Sequence, residues 1–155
     1  KEGEAKLVDR LEKQFDLPFI TAFGSVVTAL RQIGAKNIAF GTPYSEQNTL
    51  RCKHLLEEYG FKIIHFGNLP GVKNIYDETP ERAAQLIKQV DAPGAEAIFI
   101  SGVGMPTIDA LENSEQTLGK PIISSIAATM WNSLRVAGIQ SDIRGYGSLL
   151  AGKYN

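Results

Sequence analysis

The sequence predicts an α/β protein in which a parallel sheet is flanked by helices. Two observations carry that expectation. Short β-branched and aromatic runs alternate along the chain with amphipathic stretches of helical period. Several of those stretches open on Ser or Thr and stop at Gly, the start and stop residues of helices set between strands. Strands separated by helices of about 10–15 residues form right-handed βαβ units, which cover a parallel sheet on both faces.

Each element has its own warrant. The opening KEGEAKLVDRLEKQ is charged and helical, and Leu7, Leu11 and Phe15 follow at four-residue spacing. LPFITAF, Leu17 to Phe23, is a β-branched and aromatic run expected as the first strand. In GSVVTALRQIG, Val26, Val27, Leu30 and Ile33 share one helical face and Gly34 marks the stop. KNIAFGTPY places an apolar strand, Asn37 to Phe40, before a turn. SEQNTLRCKHLLEEYG then has Ser45 as N-cap, Leu50, Leu55 and Leu56 facing inward, and Gly60 as C-cap. FKIIHFGNL is the third strand, and TPERAAQLIKQV is a helix with Thr79 as N-cap and Pro80 at the first helical position. EAIFISG and PIISS are the fourth and fifth strands. Each leads into a helix, TIDALENSEQTLG and IAATMWNSLRVAG, and in the latter Met130 and Trp131 are expected in the core.

The chain of 155 residues has the length of one domain with room for a sizeable core. It contains no Gly/Ser linker, low-complexity stretch or solenoid-period repeat, so residues 1–155 read as one α/β unit. Lys1 falls in mid-helix by its pattern, as in a fragment of a longer chain. Sixteen Lys and Arg against seventeen Asp and Glu give no electrostatic footprint for nucleic acid or an anionic membrane. No apolar run approaches the roughly 18 residues of a transmembrane helix, and the charged N-terminal stretch is unlike a signal peptide. A cytoplasmic protein is the simplest reading. The single cysteine, Cys52, excludes an internal disulfide and a cysteine-based zinc site; in mid-helix and away from strand ends, it reads as structural. His54 in a helix and His65 in a strand have no partner at metal-ligand spacing, so no metal site is expected.

In parallel sheets, ligands bind outside the carboxyl ends of the strands, where helix N-termini converge. That rule selects four turns: Thr21 to Ser25, Gly41 to Ser45, Ser101 to Thr107 and Ser124 to Thr129. All are rich in small hydroxyl residues and Gly, which expose backbone amides to a small anion. The same composition would also serve helix capping alone. Tyr44 follows Pro43 directly after a strand, where its phenol can hydrogen-bond an anionic substrate or an enolate, or else pack as a surface tyrosine. SGVGMP lacks the third Gly of a dinucleotide fingerprint, and no Walker-type phosphate loop is present.

FGTPYSEQNTLRCKHLLEEYGF, SGVGMPTIDALENSEQTLGKPIISSIAATMWNSLRVAGI and the closing RGYGSLL resemble the aspartate/glutamate racemase superfamily, in its branch of maleate isomerases and arylmalonate decarboxylases. The resemblance runs in order over nearly the whole chain. It implies a flavodoxin-like lobe of a two-lobe, pseudo-symmetric fold with the active site in the cleft between lobes, and no metal or organic cofactor. On that pattern, approximately residues 24–125 form a complete second lobe, and 1–23 and 126–155 belong to an incomplete first lobe. In such enzymes a thiol moves protons at the α-carbon of a carboxylate, or attacks a double bond, while amides and hydroxyls hold the developing charge.

The resemblance implies specific positions. Tyr44 matches the substrate-binding tyrosine, and the Val103 amide matches a carboxylate or oxyanion donor. Thr42, Pro43, Ser101 and Gly104 are further substrate-binding positions, and Ser124 and Ser125 support the cleft. Gly102 stands where these isomerases and decarboxylases carry the second-lobe cysteine, and the first-lobe cysteine would lie upstream of Lys1. A small dicarboxylate or substituted malonate is the implied substrate. Gly102 favours single-acid, decarboxylase-like chemistry, whereas VGMPT is close to the isomerase form of the loop. A catalytically inactive carboxylate-binding module and a partner-dependent fragment are the alternatives, and a homo-oligomer is compatible with each.

Overall fold

The computed structural model describes residues 2–140 and 142–154. Helix α1 (Glu2–Phe15) is followed by α2 (Ala22–Gln32), β1 (Asn37–Thr42), α3 (Glu46–Glu58), β2 (Lys62–Asn68), a 3-10 turn (Ile75–Asp77), α4 (Pro80–Val90), β3 (Ala97–Ile100), α5 (Ile108–Leu118), β4 (Ile122–Ser124) and α6 (Ser125–Val136). The four strands pair in parallel in the order β2-β1-β3-β4. This is the α/β fold the alternation predicts.

The order follows from chain reach and handedness. The α3 crossover sets β2 to one side of β1, and α4 then carries the chain back past β1 to β3. Right-handed crossovers in opposite directions put α3 on one face of the sheet and α4 with α5 on the other. α4 packs along α5, and α2 packs on α6 and β4. The central strands β1 and β3 are buried on both faces, which explains their continuous apolar runs, whereas edge strand β2 is half-exposed. Ile38, Phe40, Ile98, Phe99 and Ile100 are inaccessible to solvent, each contributing roughly 1.5–3 kcal/mol relative to an exposed side chain. Val26, Val27 and Leu30 of α2 and Leu86, Ile87 and Val90 of α4 close the layers.

The caps read from the sequence are formed. Ser45 Oγ accepts from the Asn48 amide and Thr79 Oγ1 from the Arg82 amide, with Pro80 opening α4. Gly34 and Gly60 follow α2 and α3 with φ of 77° and 94°.

Three expectations are corrected. Leu17 to Phe23 is not a strand: 17–21 is irregular and Ala22 already begins α2. A strand needs a neighbouring ladder, and among the described residues none runs beside this segment. Thr21 instead caps α2 through the Gly24 amide at 2.9 Å. Leu50 is exposed, and Thr49 takes the inward position because two partners there meet its hydroxyl. Met130 is also exposed, while Trp131 one residue on is buried.

Helix α1 buries no residue. It is tied down by Glu4, whose carboxylate accepts from the Thr21 hydroxyl and, at 2.6 Å, from the Tyr59 phenol. Glu12 adds a bond from the Phe19 amide at 3.0 Å. Among the described residues no helix is long and apolar enough to cross a membrane.

Candidate functional site

The strand order reverses direction between β1 and β3, so their carboxyl ends flank the crevice where α/β sheets bind ligands. Two turns form its walls.

The turn after β1 is closed by its own hydrogen bonds. Thr49 Oγ1 donates to the Ser45 carbonyl at 3.0 Å, which uses its one proton. Thr42 Oγ1 therefore donates to Thr49 Oγ1, 2.6 Å away, and accepts from the Tyr44 amide at 3.3 Å. Thr42 is fully buried, so its hydroxyl serves this chain of bonds. Pro43 is buried as well. Tyr44 projects, 36% exposed. Burial, and secondarily the nearby Cys52 and Tyr76, push its phenol above the ordinary tyrosine range, so at neutral pH it keeps its proton and can donate a hydrogen bond.

The turn after β3 is shaped by contact rather than by side-chain bonds. The Ser101 amide donates to the Gly41 carbonyl at 2.9 Å and ties this turn to β1. Gly102 is buried with φ of 107°, and a Cβ built there would lie 2.8 Å from Pro43 Cγ. Only glycine meets both conditions. The Met105 amide donates back to the Gly102 carbonyl at 3.1 Å, leaving Val103 at the exposed tip. A Cβ at Gly104 would run into the ring of Tyr76, which reaches over from the 3-10 turn. Among the described residues, the Val103 and Gly104 amides carry no hydrogen bond.

The N-terminus of α5 lies directly behind this loop. Thr107 occupies the cap position with helical dihedrals and makes no side-chain cap. Its hydroxyl is buried and has no partner among the described residues. The other hydroxyl-rich turns do cap: Thr21 caps α2, and Ser124 accepts from the Ala127 amide at 3.2 Å. Ser125 is buried in the first turn of α6. Capping thus occupies Thr21, Ser45 and Ser124, whereas the Ser101–Thr107 turn leaves the Val103 and Gly104 amides unbonded.

Sequence reasoning missed the neighbouring concavity. Phe23, Tyr44, Asn48, Arg51, Cys52, Leu55 and Ser101 enclose a space of about 330 Å³ between α2, α3 and the end of β3. Cys52, read as remote from strand ends, lines it beside Ser101; burial pushes its thiol up to about 12. Asn48, Arg51, Cys52 and Leu55 recur at helical spacing one turn after Tyr44, a pattern that marks one face of α3. A larger concavity of about 590 Å³, near Trp131 and Arg135, involves no strand end. Among the described residues, no three His, Cys, Asp or Glu side chains converge as metal ligands.

A family model described as arylmalonate decarboxylase matches residues 1–150. The chain belongs to the arylmalonate decarboxylase family. This places it in the maleate isomerase and arylmalonate decarboxylase branch of the aspartate/glutamate racemase superfamily. The maleate isomerase of Geobacillus stearothermophilus is 28% identical over 140 residues, covering 88% of this chain and 56% of that protein. A structure of unliganded arylmalonate decarboxylase superposes with a TM-score of 0.90 at 27% identity, covering 98% of this chain and 68% of its own. A maleate isomerase of Pseudomonas putida S16, solved with maleate, gives 0.82 at 28% identity, with 88% and 56% covered. The chain therefore spans about half the length of the curated maleate isomerase it matches.

Proposed function

We propose that this member of the arylmalonate decarboxylase family contributes half of a cofactor-independent active site that works at the α-carbon of a small dicarboxylate or substituted malonate. The observation that carries the reading is the open Ser101–Thr107 turn facing Tyr44. It offers two unbonded amides, at Val103 and Gly104, and a helix N-terminus beside a protonated phenol.

The chemistry follows from where charge develops. Loss of carbon dioxide from a malonate, or of a proton from an α-carbon, leaves an electron pair that moves onto a carboxylate oxygen as an enediolate. Donors fixed at that oxygen lower the barrier because they need no reorganisation as the charge appears. The Val103 and Gly104 amides and the Tyr44 hydroxyl are the donors on this side. The α-carbon must then receive a proton. Gly102 has no side chain to give one, so the proton comes from a group on the complementary lobe, across the cleft.

In this reading residues 24–125 are one lobe, and 1–23 with 126–155 pack into the other. Helix α1, which buries nothing here, supports that assignment. So does the Leu17–Thr21 segment, a β-type sequence without a ladder.

The test is turnover of phenylmalonate and of maleate by the whole protein and its Tyr44→Phe variant. The variant is expected to lose about 10²-fold or more in kcat with little change in melting temperature. An unchanged rate would remove Tyr44 from the mechanism, and inertness of the unaltered protein toward both compounds would overturn the reading.

A further inference from the structure

The open turn has a second phenol beside it. Tyr76 lies in the 3-10 turn and is exposed, yet its ring is seated on the Gly104 backbone: Cζ, the atom that carries the hydroxyl, lies 2.9 Å from where a Cβ of residue 104 would stand. Only glycine leaves room for that approach. The Gly104 amide is one of the two unbonded donors of the turn, so the Tyr76 hydroxyl borders the same socket. That hydroxyl has no hydrogen-bond partner among the described residues; it is the Tyr76 amide that bonds, to Asn74 Oδ1 at 3.2 Å. Tyr44 is close by, since after burial and Cys52 it is Tyr76 that raises the Tyr44 phenol.

The loop that carries Tyr76 is fastened at its base. The Leu69 amide donates to the Thr42 carbonyl at 2.9 Å, which ties the start of the loop to the end of β1. Arg82 of α4 then clasps it: Nη2 donates to the Pro70 carbonyl at 2.6 Å and Nε to Glu78 Oε2 at 3.0 Å, so one guanidinium joins both ends. Closing the loop there removes conformations in which the ring swings away from Gly104.

We propose that Tyr76 is a further ligand-binding residue of this site, its phenol donating to the carboxylate that the Val103 and Gly104 amides hold, and that Arg82 is its positioning residue. The proposal rests on the carboxylate-site reading above and adds a residue to it. A phenol has one proton to donate, and a bond to an ionised carboxylate is roughly twice as strong as a neutral one. Because the hydroxyl is exposed and unpartnered, removing it should cost the fold nothing, which separates binding from stability.

Acetate and succinate are the probes, because neither has a malonyl carboxyl to lose or a double bond to isomerise. They are titrated into the whole protein while the amide resonances of Val103 and Gly104 are followed by NMR. Tyr76→Phe keeps the ring on Gly104 and removes only the hydroxyl; it is expected to weaken both acids about tenfold with no change in melting temperature. Arg82→Ala is expected to weaken them about fivefold in the parent but less than about twofold when added to Tyr76→Phe, because it acts through the phenol. Unchanged affinities in Tyr76→Phe, or a loss confined to succinate with its second carboxylate, would overturn the inference and leave the carboxylate site standing. Equal losses from Arg82→Ala in both backgrounds would overturn its positioning role. If neither acid moves the two amides in the unaltered protein, both readings fall. Should Arg82→Ala not fold, Glu78→Gln loosens the same clasp and takes its place in the cycle.

Discussion

The turn after β1 and the turn after β3 lie side by side at the switch point, yet they dispose of their polar groups in opposite ways. In the first, Thr42, Thr49, Ser45 and the Tyr44 amide form a closed series of hydrogen bonds, and the Tyr44 phenol reaches outward. In the second, the Val103 and Gly104 amides are open, and the Thr107 hydroxyl is buried without a partner. That turn is held by backbone hydrogen bonds and by contact, with Gly102 against Pro43 and Gly104 under Tyr76, and by no side-chain bond among the described residues. A buried polar group left unmet costs about 1–3 kcal/mol, so the inaccessible Thr107 hydroxyl weakens the turn it closes. One turn is a wall and the other a socket.

Gly102→Cys is the hardest blow to that arrangement. The new Cβ would lie 2.8 Å from Pro43 Cγ at a φ of 107°, so strain and overpacking act together. A loss of about 2–4 kcal/mol in stability is expected by denaturant unfolding. Gly102→Ala should lose nearly as much, since the Cβ causes the conflict. If both variants kept full stability, the socket would be soft and its contacts would not define it.

Cys52 probes the wall. With its thiol pushed up to about 12 by burial, little thiolate exists at neutral pH. The deficit of about three decades in thiolate is partly offset by the greater nucleophilicity of a high-pKa thiolate. Alkylation at pH 8 should therefore run about 50-fold slower than that of a free thiol. It should also climb about tenfold per pH unit from pH 8 to 11, because the thiol stays on the rising limb of its titration. A plateau near pH 9 would mean that α3 opens readily, and the wall would lose its rigidity.

The parts of this picture that were legible in the sequence are local. Ser45, Thr79, Gly34 and Gly60 mark helix ends because caps act within a few residues, and the location rule picks out Tyr44 and the Ser101–Thr107 turn from strand ends alone. What failed depends on distant partners. Leu17 to Phe23 has strand composition, but strand formation is decided by a neighbour that composition does not contain. Leu50 was expected inside by its hydrophobicity, and Thr49 is inside because Thr42 and Ser45 accommodate a hydroxyl. Arg51 and Cys52 join the crevice only through the rotation of α3 that this choice sets. Tyr76 covers Gly104 from a turn nearly thirty residues earlier, a juxtaposition no short-range pattern encodes.

The finest test applies one substitution, Thr→Val, to both turns. The shape is kept and only the hydroxyl is lost, so the sign of the effect reports whether that hydroxyl was satisfied. Thr42→Val removes the donor to Thr49 Oγ1 and the acceptor of the Tyr44 amide in a site without solvent, and about 1–2 kcal/mol of stability should be lost. Thr107→Val removes a hydroxyl that has no partner among the described residues, so stability should stay level or rise by up to about 1 kcal/mol. Chemical denaturation of the two variants beside the parent measures both. Opposite signs would confirm that one turn spends its polar groups on the fold and the other does not. Equal losses would mean that Thr107 has a partner of its own, such as a buried water, and that the two turns are built alike.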